Sequence, residues 1–122
     1  EPFLNYVVNQ AYTQGTTSNS GTNLQTRYDR VSSWCPPNKF IVTENIGDWW
    51  QNGGSPFTEV GGNTVSPVDG QRMYSLEGMA RWQPRQGTKA GFGAFYFGRD
   101  YNSNPPYKYM RRAIQVANPA VH

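Results

Sequence analysis

The acids available for chemistry are Glu1, Asp29, Glu44, Asp48, Glu59, Asp69, Glu77 and Asp100. Acid–base hydrolysis needs two such groups converging on one bond. No pair has a spacing that implies this. Glu44 and Asp48, just ahead of the tryptophan pair Trp49-Trp50, come nearest, and a place at a strand edge or turn suits each of them better. Cys35 is the one cysteine and His122, the last residue, is the one histidine. A hydrogen-bonded thiolate–imidazole pair is therefore not expected, and neither is a cysteine-based metal cage. Phosphate loops, metal-ligand spacings and a nucleophile elbow are absent as well. The expectation is a protein that is not an enzyme, with no catalytic residues, no metal and no cofactor.

Recognition chemistry is better represented. In Asp48-Trp49-Trp50-Gln51-Asn52, adjacent indoles on a strand cannot both face one core. An exposed indole can stack on the apolar face of a sugar while amides and carboxylates bind its hydroxyls. The structural alternative puts Trp49 in the core and Trp50 under a loop. The second polar set is Arg99-Asp100-Tyr101-Asn102-Ser103-Asn104, where Asn and the following prolines are equally good turn formers. The candidate ligand-binding residues are thus Asp48, Trp49, Trp50, Asn52, Arg99, Asp100, Tyr101, Asn102 and Asn104, with a glycan as first ligand and a protein partner as second.

The element expected to hold these sets in place is residues 91–98, GFGAFYFG, the densest apolar run and free of charge. Alternation puts Phe92, Ala94 and Tyr96 on one face and Phe95 and Phe97 on the other, as in a central strand covered on both sides. Residues 39–44 (KFIVTE) and 57–60 also read as strands. So do residues 72–82, with Tyr74, Leu76, Ala80 and Trp82 on one face and Gly78 beneath. Asp69-Gly70 suits a tight hairpin turn. Residues 2–14 and 24–34 fit a helix stripe and a strand equally well. Residues 107–117 form the best helix, polar along Lys108, Arg111, Arg112 and Gln115, and apolar along Tyr109, Met110, Ala113, Ile114 and Ala117. The expected core contains Phe95, Phe97, Trp82 and Tyr74 or Leu76.

Composition agrees with strands more than helices. There are three leucines and four glutamates, against eight tyrosines, six phenylalanines and four tryptophans. Thirteen glycines and nine prolines add turns. The expected fold is mainly β, an antiparallel sandwich or barrel with one or two short peripheral helices; α+β is the alternative. The 122 residues form one domain, 1–122.

Two short resemblances lead no further. Gly47-x-Trp49 resembles the opening of lipocalin-like barrels but spans three residues. Gly91-Phe92-Gly93-Ala94-Phe95-Tyr96-Phe97 resembles an RNA-binding strand motif, yet Ala94 shifts the later aromatics to the opposite face. The net charge of +3, carried by eight Arg and three Lys, permits an anionic partner without requiring one. Single-stranded nucleic acid is the third functional reading. The first is a non-enzymatic surface module binding a glycan or similar polar ligand. The second is a structural subunit, such as a capsid protrusion or filament component, for which a homo-oligomer is expected. No run is long and apolar enough for a membrane span. A start at Glu1 rather than Met reads as processing or excision, in keeping with an extracellular or virion-surface location.

Overall fold

A computed structural model describes residues 5–10, 21–45, 51–59, 62–95 and 97–118. The strands are β1 (Val7–Gln10), β2 (Phe40–Asn45), β3 (Thr58–Glu59), β4 (Gly62–Asn63) and β5 (Gly91–Phe95). The helices are α1 (Gly21–Asp29), α2 (Ser75–Arg81) and α3 (Lys108–Ala117). Strands β1, β2 and β5 form one sheet in that order, and both pairings are parallel. Strands β3 and β4 make a separate antiparallel hairpin. The expected antiparallel sandwich or barrel is therefore replaced by a small α+β structure on a three-stranded parallel sheet. Parallel neighbours cannot be joined by tight turns, so each crossover carries a helix: α1 between β1 and β2, and α2 between β2 and β5.

Alternation along β2 sorts the two faces. Phe40, Val42 and Glu44 are fully buried, while Ile41 and Thr43 are half-buried. Phe40 and Val42 join Leu24 and Tyr28 of α1, Met79 of α2 and Trp82 in one core cluster. The Tyr28 and Phe40 rings meet edge to face with centroids 4.9 Å apart, a favoured aromatic geometry. Leu76, Ala80 and Ala113 form a second cluster joining α2 and α3, with Phe92 and Ala94 of β5 packed against it. All three helices thus lie on one side of the sheet. On the other side Val8 is 57% exposed, and a Cβ added at Gly91 would meet nothing within 4 Å.

Residues 72–82 are the main misreading. They contain α2, with Ser75 through Ala80 all buried. Met73, Leu76, Met79 and Ala80 carry the three- and four-residue spacing of a helix, and Gly78 is a close-packing position. A Cβ there would lie 2.2 Å from Cγ of Phe57. Within 24–34 the helical reading prevails: Leu24 and Tyr28, four residues apart, are buried on α1. Pro36 and Pro37 then end the turns that follow. The buried thiol of Cys35 is pushed above its ordinary pKa by desolvation. The strand expected at 91–98 stops at Phe95, and a 3-10 helix runs over Phe97–Asn102. The side chains of Phe95 and Phe97 lie outside the described residues, whereas Leu76 and Trp82 are buried and Tyr74 is half-buried.

Candidate functional site

A parallel sheet with helices on one face brings its strand ends together at one edge. β1 ends at Gln10, β2 at Asn45 and β5 at Phe95. Gln10 aligns with Thr43, Thr43 with Gly93, and Asn45 with Phe95. The alternating exposure of β1 puts Val8 and Gln10 on the open face, and Gln10 is exposed. Thr43 lies beside it, donating its hydroxyl to the Asn9 carbonyl at 3.1 Å. Gly93 adds no side chain. The result is a shallow polar step at the carboxyl edge, where open α/β sheets and barrels place their ligands.

Two buried carboxylates stiffen this edge from the helix side. Glu44 is fully buried and accepts a hydrogen bond from the Ser75 hydroxyl at the start of α2. Ser75 Oγ in turn accepts the Ser55 backbone N–H at 3.1 Å. Asp100, also fully buried, accepts the Met110 N–H at 2.7 Å and the Ser103 hydroxyl at 2.5 Å. It thereby supplies the capping acceptor for the first turn of α3, which Tyr107 at the N-cap position does not provide. Both acids hold elements in place and neither is presented to solvent.

A second concavity of about 180 Å³ opens between the starts of α2 and α3, on the helix side. Asn52, Gln71, Tyr74, Lys108, Tyr109 and Arg112 are among its lining residues. Its floor is a charge network. Arg112 lies 3.0 Å from Asp69 and 3.6 Å from Glu77. Glu77 also accepts from Ser66 Oγ at 2.7 Å and pairs with Arg81 at 2.8 Å. The Gln71 backbone N–H, followed by Arg112, holds the Asp69 carboxyl below the ordinary range. Burial raises the Tyr109 phenol above its ordinary value. Gly53, at φ 79°, passes so close to Tyr109 that a Cβ there would fall 2.8 Å from that ring, and this contact carries Asn52 onto the rim.

The sequence candidates divide accordingly. Asp48, Trp49 and Trp50 lie outside the described residues, as does the Arg99 side chain. Asn52 lines the outer concavity. Asp100 is structural in its contacts. Tyr101 is 61% exposed, its ring edge-to-face with Tyr107 at 5.7 Å, and Asn102 and Asn104 are exposed. The Asn52 segment reaches the first turn of α3 through Gly53 and Tyr109, and the Asp100 loop reaches the same turn through Met110. Gln10, Thr43, Tyr74, Gln71 and Tyr109 escaped the sequence reading. The polar residues closing two apolar strand runs, Asn9-Gln10 and Thr43-Glu44, were the available signal. Among the described residues no cluster of His, Cys, Asp or Glu is suited to hold a metal.

Parallel strands taken in chain order, helices on one side and a polar step at the carboxyl ends are the arrangement that repeats around a β/α barrel. The comparisons agree. A model of glycoside hydrolase family 18, BT1044-like, matches residues 1–116, and the chain belongs to that family. Among solved structures, a variant of BT1044 aligns at TM-score 0.72 and 22% identity, over 95% of this chain and 34% of that one. An endo-β-N-acetylglucosaminidase from Cordyceps militaris aligns at TM-score 0.61 in a complex with fucosyl-N-acetylglucosamine-Asn, and at 0.60 in its apo form. Both alignments are at 22% identity and cover 97% of this chain and 37% of that one. The chain therefore spans about a third of these structures, which are of TIM type, and at this identity the likeness speaks for the fold. No match is found among curated proteins.

Family membership ties the chain to glycan chemistry and overturns the expectation of a protein that is not an enzyme, since its relatives are glycoside hydrolases. It gives no support to a capsid or filament role. The glycan expected from the Trp and Asn segments is retained as a ligand class.

Proposed function

We propose that this chain forms the substrate-contacting wall of a glycoside hydrolase acting on glycans that contain N-acetylglucosamine. The observation that carries the proposal is the polar step of Gln10 and Thr43 at the carboxyl end of the parallel sheet, the face on which barrel enzymes bind substrate. Family membership supplies the reaction class, and the N-acetylglucosaminyl-Asn compound held by one structural neighbour suggests the substrate class. The exposed Gln10 amide, beside a Thr43 hydroxyl that can still accept while donating to Asn9, suits a ligand rich in hydroxyls and acetamido groups. Glu44 and Asp100, committed to Ser75 and to the start of α3, keep the strand ends rigid and so reduce the ordering cost of binding.

Calorimetric titration with fucosyl-N-acetylglucosamine-Asn tests the proposal. Gln10→Ala is expected to weaken binding about tenfold, the loss of one to two hydrogen bonds, with the unfolding midpoint unchanged. Equal affinity in the variant and the parent would remove Gln10 and the strand edge from the site.

A further inference from the structure

We infer that the concavity between α2 and α3 is a second saccharide site, one that takes a single sugar ring bearing a carboxylate. It lies on the helix side, whereas Gln10 faces the open side of the sheet, so it is separate from the substrate wall proposed above and does not depend on it. Its volume of about 180 Å³ is below the range for drug-sized ligands and suits one ring.

The charge balance selects the substituent. Asp69 and Glu77 oppose Lys108 and Arg112 around the lining, and Arg81, outside it, pairs with Glu77, two anions against three cations. Both anions are engaged with Arg112, and Glu77 with Arg81 as well. The Lys108 ammonium meets no carboxylate among the described residues. Its contact is the Tyr109 ring, 5.3 Å from the ring centroid. A ligand carboxylate beside Lys108 would complete that balance. Asn52, Gln71 and Tyr74 line the same space, and their amide and hydroxyl groups are of the kind that supply both donors and acceptors to ring hydroxyls. The wall is built in advance: Arg112 is pinned by two acids, and Tyr109 is seated against Gly53.

Side-chain amide NMR signals of Asn52 and Gln71 read the site directly. The probes are glucuronate and N-acetylneuraminate, with glucose and acetate as controls. Saturable shifts are expected with at least one acidic sugar, and which of the two produces them tells a uronic from a sialic ligand. Binding of glucose and of acetate should be at least tenfold weaker. Lys108→Gln should weaken acidic-sugar binding at least tenfold, and Gln71→Ala, at an exposed position, should weaken it severalfold, both with unchanged amide dispersion elsewhere. No saturable shift from either acidic sugar overturns the inference. So does acetate binding as tightly as the sugars, or full affinity in Lys108→Gln. None of these outcomes bears on Gln10.

Discussion

Lys89 stands just before β5 with 7% of its surface exposed, and its ammonium donates to the carbonyls of Ala80, at 3.1 Å, and Trp82 at the end of α2. Two effects oppose each other there. Carbonyls at a helix C-terminus favour the charged form, while burial disfavours it, and burial dominates, lowering the pKa to about 8. The folded value thus lies below the unfolded one of roughly 10.4, and the unfolded chain binds more protons between the two. The stability contributed by this residue is complete above the unfolded value and is lost as pH falls through about 8. Urea unfolding should therefore show the stability of the parent, relative to Lys89→Met, rising between pH 8 and pH 10. The slope should not exceed about 1.4 kcal/mol per pH unit. Using the variant as reference cancels other groups that titrate there, such as Cys35. A difference that stays flat across the range would mean that the carbonyls compensate the charge fully.

At the scale of elements, α2 shows what the sequence displays and what it conceals. An alanine in a helix interior is favoured over glycine by about 1 kcal/mol, so Gly78→Ala would stabilise an isolated helix. In the fold, the new Cβ would sit 2.2–2.3 Å from the Phe57 ring, which is itself buried. Overpacking of that kind costs about 1–3 kcal/mol. Gly78→Ala is expected to lower the urea midpoint, and Phe57→Leu in the same background to recover part of the loss. A rise in stability for the single variant would show that the ring moves aside freely.

This close contact is also why residues 72–82 read as a strand. A glycine at the centre and aromatics at either end suggested alternation, and the partner that requires the glycine, Phe57, is remote in sequence. The run Phe40–Thr43 was legible because β-branched and aromatic side chains suit a pleated surface wherever it lies. Helix α3 was legible because its stripe is local, although Ile114, expected on the buried side, is 47% exposed. Parallel pairing was not legible, since the partners of β2 lie more than thirty positions away on either side. The candidate site followed the same division. Asn52 was noticed for its chemistry and does line a concavity, whereas Gln10 becomes significant only once β1 is placed beside β2.

For the molecule as a whole, the governing feature is the asymmetry of its sheet. One face is sealed by α1, α2 and α3 through two apolar clusters. The other presents an exposed Val8 and half-buried Ile41 and Thr43. In TIM-type domains that second face is the barrel interior, and its carboxyl rim is where substrate binds. A polarity along the strands follows, set by the fold and carried by no sequence motif. Mapping fucosyl-N-acetylglucosamine-Asn onto the protein by backbone amide chemical shifts measures that polarity directly. The expected result is saturable shifts at Gln10, Thr43 and Gly93, with Phe40, Ile41 and Gly91 at the opposite strand ends unmoved. Shifts confined to those opposite ends or to the outer concavity, or none that saturate, would contradict the assignment of the strand edge to glycan binding.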